Sequence, residues 1–172
     1  MKIAILSDSH DNIVNTQAAV AKAQDLGAEA LIFCGDFCSP GAAIAMSKFK
    51  GPIWAVFGNN DGDKLHLFKY LTADRKDVTF LEDGKNTIDL AGLKIAITHY
   101  PLYADALART GDYDLVCFGH DHTARIETYG KCLAVNPGAL NPNPYRSNFK
   151  ISFALYDSVT YTAEIIVLSD TE

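Results

Sequence analysis

Short apolar runs alternate with stretches of helical periodicity through the first third of the chain. The run Lys2–Leu6 ends in a polar turn, a pattern typical of a buried strand. Apolar residues then recur at helical spacing over residues 13–26, and Gly27 supplies a stop signal. Further strands are predicted at Ala30–Phe33 and residues 53–57, with a helix at 41–49 between them. This alternation predicts parallel βαβ units.

The second part of the chain changes from this alternation to a series of hairpins. After a helical stretch at 63–71, hairpins are predicted at Thr87–Leu90 with 94–98, Arg125–Tyr129 with 132–135, and 151–156 with 160–167. Between them we expect a short helix at 104–108, an apolar strand at 115–118 and a loop at 136–144, which carries three prolines. Two mixed sheets packed face to face, with helices outside, would bury all of these strands.

Length, charge and hydropathy restrict the classes of protein to which the chain can belong. Its 172 residues predict a single domain over 1–172, and its net charge of −6 without a basic run disfavours a long nucleic acid as partner. No apolar stretch reaches the ~20 residues of a membrane span. The first apolar run ends before Ser7, and it is therefore shorter than the apolar segment of a signal peptide, which has ~7–15 residues. We therefore expect a cytoplasmic protein that does not bind membranes.

The four cysteines show no spacing typical of a metal site or a redox pair. They are Cys34, Cys38, Cys117 and Cys132. Cys34 and Cys117 lie within apolar runs, where a free thiol behaves as a small buried hydrophobic side chain. We interpret all four as structural thiols.

Candidate metal ligands follow five of the predicted strands, at the point where each strand ends. These residues are Asp8 and His10, Asp36, Asn59, His99, and His120 with His122. In open α/β sheets, ligands bind beyond the carboxyl ends of the strands, so we expect these loops to converge. The pairs Asp8/His10 and His120/His122 are two residues apart and would point the same way on an extended chain. Glycines at 35, 58 and 119 would allow sharp turns.

The chemistry of this set indicates divalent transition metals. A group of histidine, aspartate and asparagine ligands without sulfur suits Mn²⁺, Fe²⁺, Co²⁺, Ni²⁺ or Zn²⁺. Seven ligands exceed the needs of one tetrahedral ion and are enough for two ions that share a carboxylate. Pairs of metals ~3.5–4 Å apart hydrolyse phosphate esters in many enzymes.

The five segments resemble, in order, the five motifs of the calcineurin-like metallophosphoesterases. Asn136-Pro137-Gly138 is similar to a closing loop of the small prokaryotic phosphodiesterase branch of that family. The resemblance implies an α/β fold, a four-layer αββα sandwich of two mixed β-sheets flanked by helices. It also implies two divalent ions, with manganese as the first expectation. One ion would be held by Asp8, His10, Asp36 and His122, and the other by Asp36, Asn59, His99 and His120.

The same resemblance implies hydrolysis by in-line attack of a hydroxide that bridges the two metals, with no covalent protein intermediate. Many relatives have a histidine after the motif asparagine, and this chain has Asn60, which cannot act as a general acid. We therefore expect a small phosphodiester, or an ester with a good leaving group, as substrate. Asn60 and Asp61 are catalytic candidates, and Asn60 could instead hydrogen-bond the phosphate. Asp61 could orient His120 or His122 or cap the next helix, and Asn12 could contact substrate or cap the helix that begins at Ile13.

Two other functions remain open at this point. Some proteins of this fold are non-catalytic, protein-binding scaffolds, and others are phosphomonoesterases. The presence of all seven candidate ligands favours an active enzyme, and Asn60 disfavours a phosphomonoesterase. The hairpins also offer edge strands that could pair in a homo-oligomer.

Overall fold

The fold was analysed in a computed structural model, which describes residues 1–73, 75–81, 85–142 and 150–168. Within these ranges the strands are β1 (Lys2–Leu6), β2 (Ala30–Phe33), β3 (Ile53–Ala55), β4 (Val78–Phe80), β5 (Thr87–Leu90), β6 (Leu93–Ile97), β7 (Leu115–Cys117), β8 (Arg125–Tyr129), β9 (Cys132–Asn136), β10 (Ser152–Asp157) and β11 (Thr162–Val167). The helices are α1 (Ile13–Asp25), α2 (Pro40–Met46), α3 (Lys64–Thr72) and α4 (Pro101–Arg109).

The strands form two mixed sheets, as the sequence pattern predicts. The order is β11-β10-β1-β2-β3-β4 in the first sheet and β5-β6-β7-β9-β8 in the second. Strands β1 to β4 are parallel to one another, and β10 and β11 add an antiparallel hairpin at β1. In the second sheet β6, β7 and β9 are parallel, while β5 and β8 pair antiparallel at its edges. The carboxyl ends of the parallel strands therefore lie along one edge of each sheet.

Three separate hydrophobic layers show that the molecule is a four-layer αββα sandwich, which confirms the predicted fold. Alternate residues of β1 point to opposite sides, because successive side chains in a strand face opposite ways. Ala4 and Leu6 pack against α1 to α3, whereas Ile3 and Ile5 face the second sheet. On the far side of the second sheet, Val116 and Ala134 pack against α4. The two layers of side chains on either side of β1 fix its position in the centre of the core.

Several local predictions differ from the structure. Strand β4 is not predicted from the sequence, because it is only three residues long and is half-exposed. Helix α2 ends at Met46, before the predicted end at Phe49, and α4 extends over nine residues where 104–108 were predicted. The predicted loop at 136–144 begins within β9, and Ala139 forms a bridge with Ile151; Asn143 and Pro144 lie outside the described residues.

In the part of the chain that the structure describes, there is no helix with the length and apolar composition needed to cross a membrane.

Candidate metal centre

The loops that follow β1, β2, β3, β6 and β7 meet at one end of the sandwich. Backbone hydrogen bonds join them: the N–H of Asp8 donates to the carbonyl of Gly35, and the N–H of Gly119 donates to that of His99. The N–H of Leu140 also donates to the carbonyl of Asp8, at 3.2 Å. These bonds hold the candidate ligands from both sheets next to one another, as expected for a site at the carboxyl ends of strands.

Five candidate ligands adopt a left-handed backbone conformation, which is rare for residues other than glycine. Their φ angles are 52° for Asp8, 40° for His10, 64° for Asp36, 75° for His120 and 57° for His122. Each such residue costs of order 1–3 kcal/mol and persists only where the surrounding structure enforces it. The segments are therefore turns, and the expectation of an extended chain at Asp8/His10 and His120/His122 is wrong.

The first cluster contains Asp8, His10 and His122. Asp8 is fully buried, and its Oδ1 lies 3.3 Å from Nε2 of His122 and 3.7 Å from Nε2 of His10. The two Nε2 atoms lie 3.0 Å from each other. Oδ1 of Asp8 accepts no hydrogen bond in the structure, whereas Oδ2 accepts one from the backbone N–H of His120. One carboxylate oxygen and two imidazole nitrogens thus converge. They have too few hydrogen-bond donors among them to satisfy all of their lone pairs.

The second cluster contains His99, His120 and Asn59. Nε2 of His99 lies 3.0 Å from Oδ1 of Asn59 and 3.3 Å from Nδ1 of His120, and that Nδ1 lies 2.9 Å from the same Oδ1. Nδ1 of His99 is 2.7 Å from the carbonyl oxygen of Cys34, to which it donates. In the neutral ring this leaves the lone pair of Nε2 pointing into the cluster. His120 and His122 thus belong to different clusters, so they do not reach one common point.

Asp36 lies between the two clusters. It is 1% exposed, and its Oδ2 lies 3.6 Å from Nε2 of His10 and 3.4 Å from Nε2 of His99. Asp8, Asp36 and His99 also form a group close enough to hold one ion. The carboxylate of Asp36 is therefore placed within reach of ligands from both sheets.

The carboxylates remain ionised despite their burial. Burial acts to raise the pKa of Asp8, but the nearby imidazoles of His10 and His122 outweigh it and hold this pKa below its ordinary value. Burial likewise opposes ionisation of Asp36, and His99 together with the N–H groups of Asn60 lowers its pKa. The pKa of His10 is raised, chiefly by Asp8. The ionised carboxylates of the centre thus favour the binding of positive charge.

The residue types and their arrangement fit divalent metal ions. Asp8 Oδ1, Asn59 Oδ1 and Asp36 Oδ2 are acceptors that face imidazole nitrogens, so a cation satisfies several lone pairs at once. All of these atoms are oxygen or nitrogen, a donor set that suits manganese, iron, cobalt, nickel and zinc. Asp8, His10 and His122, and likewise Asp8, Asp36 and His99, have ligand atoms within 4.8 Å of one another, which is close enough to hold a metal ion.

Asp61 supports the loops and does not contact either histidine that it was expected to orient. Its carboxylate accepts hydrogen bonds from the backbone N–H groups of Asp36, Gly58 and Cys38, at 2.8 to 3.0 Å. Burial, the largest influence, raises the pKa of Asp61, and these three donors act against it. Asp61 does not cap α3 either, since Asp63 does so through its bond to the N–H of His66. Asp61 therefore positions the strand exits that carry Asp36 and Asn59.

The remaining candidates have clear partners. Asn60 is exposed, and its Nδ2 and backbone N donate to the two oxygens of Asp36, at 2.7 and 2.8 Å. Asn12 caps α1 by accepting from the N–H of Asn15, which agrees with the capping alternative. His66 pairs with Asp63 on the surface of α3, away from the centre.

Glycines at the strand exits serve two different needs. Gly35 has a φ of 97° and supplies the turn that was expected of it. Gly58 and Gly119 do not have a positive φ; they are needed because a Cβ at either position would collide with a carboxylate. At Gly58 it would meet Asp36, and at Gly119 it would meet Ser7 and Asp8. The close approach of the backbone to Asp8 and Asp36 thus depends on these two glycines.

Several residues outside the predicted set of ligands also support the site. Nδ2 of Asn136 donates to the carbonyl of Gly119 and to Oδ1 of Asp121, so it holds the loop between His120 and His122. Sγ of Cys38 lies 3.4 Å from Nδ1 of His10. The ring of Tyr100 packs edge-on against His99 and lies 5.1 Å from His120. Position in the sequence next to a strand exit was the only available signal for Cys38 and Tyr100.

Comparisons with known proteins agree with this geometry. The family model described as the calcineurin-like phosphoesterase superfamily domain matches residues 1–160. Phosphodiesterase MJ0936 of Methanocaldococcus jannaschii is 33% identical over 140 residues, which cover 80% of this chain and 83% of that protein. The probable metallophosphoesterase YsnB of Bacillus subtilis is 28% identical over 145 residues, covering 81% and 75% respectively.

Among solved structures, a novel archaeal phosphodiesterase superposes with a TM-score of 0.85 at 28% sequence identity. The match covers 98% of this chain and all of that one. The same architecture therefore extends over nearly the whole length of both chains. Together with the family model over residues 1–160 and the 33% identical relative, this shows that the chain belongs to the calcineurin-like phosphoesterase superfamily and is a phosphoric ester hydrolase.

Proposed function

We propose that the chain is a phosphodiesterase that uses two divalent metal ions to hydrolyse a small phosphodiester. The observation that carries this proposal is the position of Asp36, whose Oδ2 lies between His10 of one cluster and His99 of the other. A carboxylate with ligands on both sides is the arrangement that a pair of adjacent ions requires. The relative named phosphodiesterase supports the choice of reaction.

In this proposal, Asp8, His10 and His122 hold one ion with Asp36, and Asn59, His99 and His120 hold the other with Asp36. When bound, such a pair of ions lowers the pKa of a water molecule and neutralises charge on the phosphate oxygens. The chain contributes the positions of the ligands. His99 is oriented by the carbonyl of Cys34, and Asp36 by the N–H groups of Asn60.

A preference for esters of acidic alcohols is proposed from Asn60. Its side chain donates to Asp36 at 2.7 Å and has no proton that it could give to a leaving alkoxide at neutral pH. Departure of the alcohol therefore depends on the stability of its anion. Esters of acidic alcohols should react faster than alkyl esters. The second N–H of the Asn60 amide is the group that we assign to contact the phosphate.

Manganese is the ion that we propose first, because the ligands are a mixture of carboxylate, amide and imidazole, and no thiolate takes part. We also propose that residues 1–172 act as one domain in the cytoplasm. All four cysteines are free thiols, as expected in a reducing compartment. The acidic balance of charge disfavours a long nucleic acid as substrate.

The test is hydrolysis by protein that has been stripped of metal with a chelator and then supplied with Mn²⁺. Bis(p-nitrophenyl) phosphate and p-nitrophenyl phosphate release the same chromophore from a diester and a monoester. We expect activity only after Mn²⁺ is restored, with kcat/KM for the diester at least about tenfold higher, a difference of about 1.4 kcal/mol. Tight Mn²⁺ binding without hydrolysis would instead support the scaffold, and a faster monoester would support a phosphomonoesterase.

A further inference from the structure

A cavity of about 610 Å³ opens beside His99, between α4 and the beginning of β5. Its volume lies within the range of pockets that hold small organic ligands, ~300–1,000 Å³. The lining residues that matter here are Phe57, Asn86, His99, Tyr100, Tyr103 and Tyr113. Because His99 belongs both to this lining and to the second cluster of ligands, the cavity directly adjoins the metal centre.

Aromatic rings form the wall between the metal centre and the cavity. The ring centroid of Tyr100 lies 5.1 Å from those of His99 and His120. The ring of Tyr103 stands at 87° to that of Tyr100, at 5.8 Å, and Tyr103 is 58% exposed. Exposed aromatic faces of this kind stack on flat rings, at about 1–3 kcal/mol per nucleobase. The lining therefore favours a planar aromatic occupant.

The described lining carries no charged side chain. Among the lining residues that the structure describes, no lysine, arginine, aspartate or glutamate is present. An uncharged occupant fits these conditions.

We propose that this cavity binds one ester group of the substrate, and that this group is an uncharged, flat aromatic ring. The proposal rests on the proposed phosphodiesterase function and adds the class of substrate. Tyr103, which is exposed beside Tyr100, contributes the stacking area.

The experiment compares three diesters that release the same p-nitrophenolate when water adds to phosphorus and the aryl P–O bond breaks. The second ester group is methyl, ribose 5′-O, or adenosine 5′-O, so that only the last carries a flat ring. For the unchanged protein with Mn²⁺, we expect kcat/KM for the adenosine diester to exceed that for the methyl diester and that for the ribose diester by at least about tenfold.

Two variants locate the effect in the cavity. Tyr103→Ala should lower the ratio of adenosine to methyl diester by at least about fivefold, because stacking area is lost. Leu102→Ala is the matched control: Leu102 neighbours Tyr103 on α4, is 75% exposed and is outside the cavity lining, so the ratio should stay unchanged.

Hydrolysis of the methyl diester with equal kcat/KM for all three substrates would overturn the cavity proposal and leave the proposed phosphodiesterase function standing. An adenosine preference that survives Tyr103→Ala would also overturn it, because the ring would then bind elsewhere. Hydrolysis of none of the three diesters with Mn²⁺ would overturn the proposed function, and the cavity proposal with it.

Discussion

The Nε2 atoms of His10 and His122 lie 3.0 Å apart, although the two residues are 112 positions apart in the chain. Both nitrogens also approach Oδ1 of Asp8, which accepts no hydrogen bond. Two imidazoles and a carboxylate in this arrangement require a cation or shared protons to offset their lone pairs. Burial of the Asp8 carboxylate strengthens this requirement, since an uncompensated buried charge is strongly destabilising.

Loss of His122 should weaken the first metal position. Mn²⁺ at about 100 times its Kd stabilises a binding protein by about 2.7 kcal/mol, so the Tm of the unchanged protein should rise on addition of Mn²⁺. In His122→Ala that rise should be clearly smaller, as measured by thermal unfolding. His66→Ala is the control, because His66 is an exposed histidine on α3 that contacts Asp63 and not the centre. Equal Mn²⁺ responses in the two variants would contradict the assignment.

Replacement of Asp36 should affect both metal positions. Loss of a residue that merely supports a metal ligand costs about 10–100-fold in affinity or activity, so loss of a shared ligand should cost more. We expect Asp36→Asn to reduce kcat/KM for bis(p-nitrophenyl) phosphate by more than about 100-fold. Asp89→Asn makes the same chemical change at an exposed position of β5 and should leave the rate unaltered. A rate for Asp36→Asn near that of the unchanged protein would exclude a bridging role.

Gly119 should not tolerate even a methyl group. A Cβ at this position would collide with Ser7 and lie 2.5 Å from Oδ2 of Asp8. We expect Gly119→Ala to lower the free energy of unfolding by about 1–3 kcal/mol and to reduce Mn²⁺ affinity, as seen by chemical denaturation and titration calorimetry. Gly62→Ala has open space around the new Cβ and should be neutral or slightly stabilising. Similar stabilities for the two variants would show that Asp8 has room to move.

Replacement of Asp61 by asparagine should loosen the loops that carry Asp36. Asp61 accepts from three backbone N–H groups, and an amide would direct its NH₂ at one or more of these donors. We expect Asp61→Asn to lower the free energy of unfolding by about 1–3 kcal/mol. Asp63→Asn retains the cap of α3, since asparagine and aspartate cap helices about equally well, and should be close to neutral. Equal midpoints of denaturant unfolding for Asp61→Asn and Asp63→Asn would contradict this role of Asp61.

A histidine at position 60 should make the rate of hydrolysis less dependent on the acidity of the leaving alcohol. Asn60 supplies no proton, whereas an imidazole can protonate a departing alkoxide and contribute about 10²–10⁴-fold. In Asn60→His we expect the ratio of alkyl to aryl phosphodiester hydrolysis to rise. Asn60→Gln retains an amide without the imidazole and serves as the control. An unchanged ratio in Asn60→His would show that Asn60 does not limit departure of the alcohol.

Most of the fold could be predicted from the sequence because its strands are short, apolar and clearly bounded. The run Lys2–Leu6 is buried on both sides, so its hydrophobicity is nearly continuous and its end at Ser7 is unambiguous. Strand β4 has no such signal, since Thr79 is exposed and Val78 and Phe80 are half-buried. Its position depends on pairing with β3, which is a tertiary contact that local pattern does not encode.

The candidate site could be predicted only as a set of residue types at strand ends. Its details depend on backbone conformations that the sequence does not announce. The φ of 75° at His120 turns that side chain toward His99, while His122 faces His10. Likewise, the aspartate at position 61 has the same local context as a helix cap. Only the packed loops show that it accepts hydrogen bonds from the N–H groups of Asp36, Gly58 and Cys38.

Anomalous diffraction from crystals grown with Mn²⁺ tests the central claim most directly, because it locates each ion independently of activity. We expect two ions in each chain, ~3.5–4 Å apart, with the carboxylate of Asp36 bound to both. One ion should contact Asp8, His10 and His122. The other should contact Asn59, His99 and His120. A single ion, or ions that leave Asp36 without contact on one side, would contradict the account.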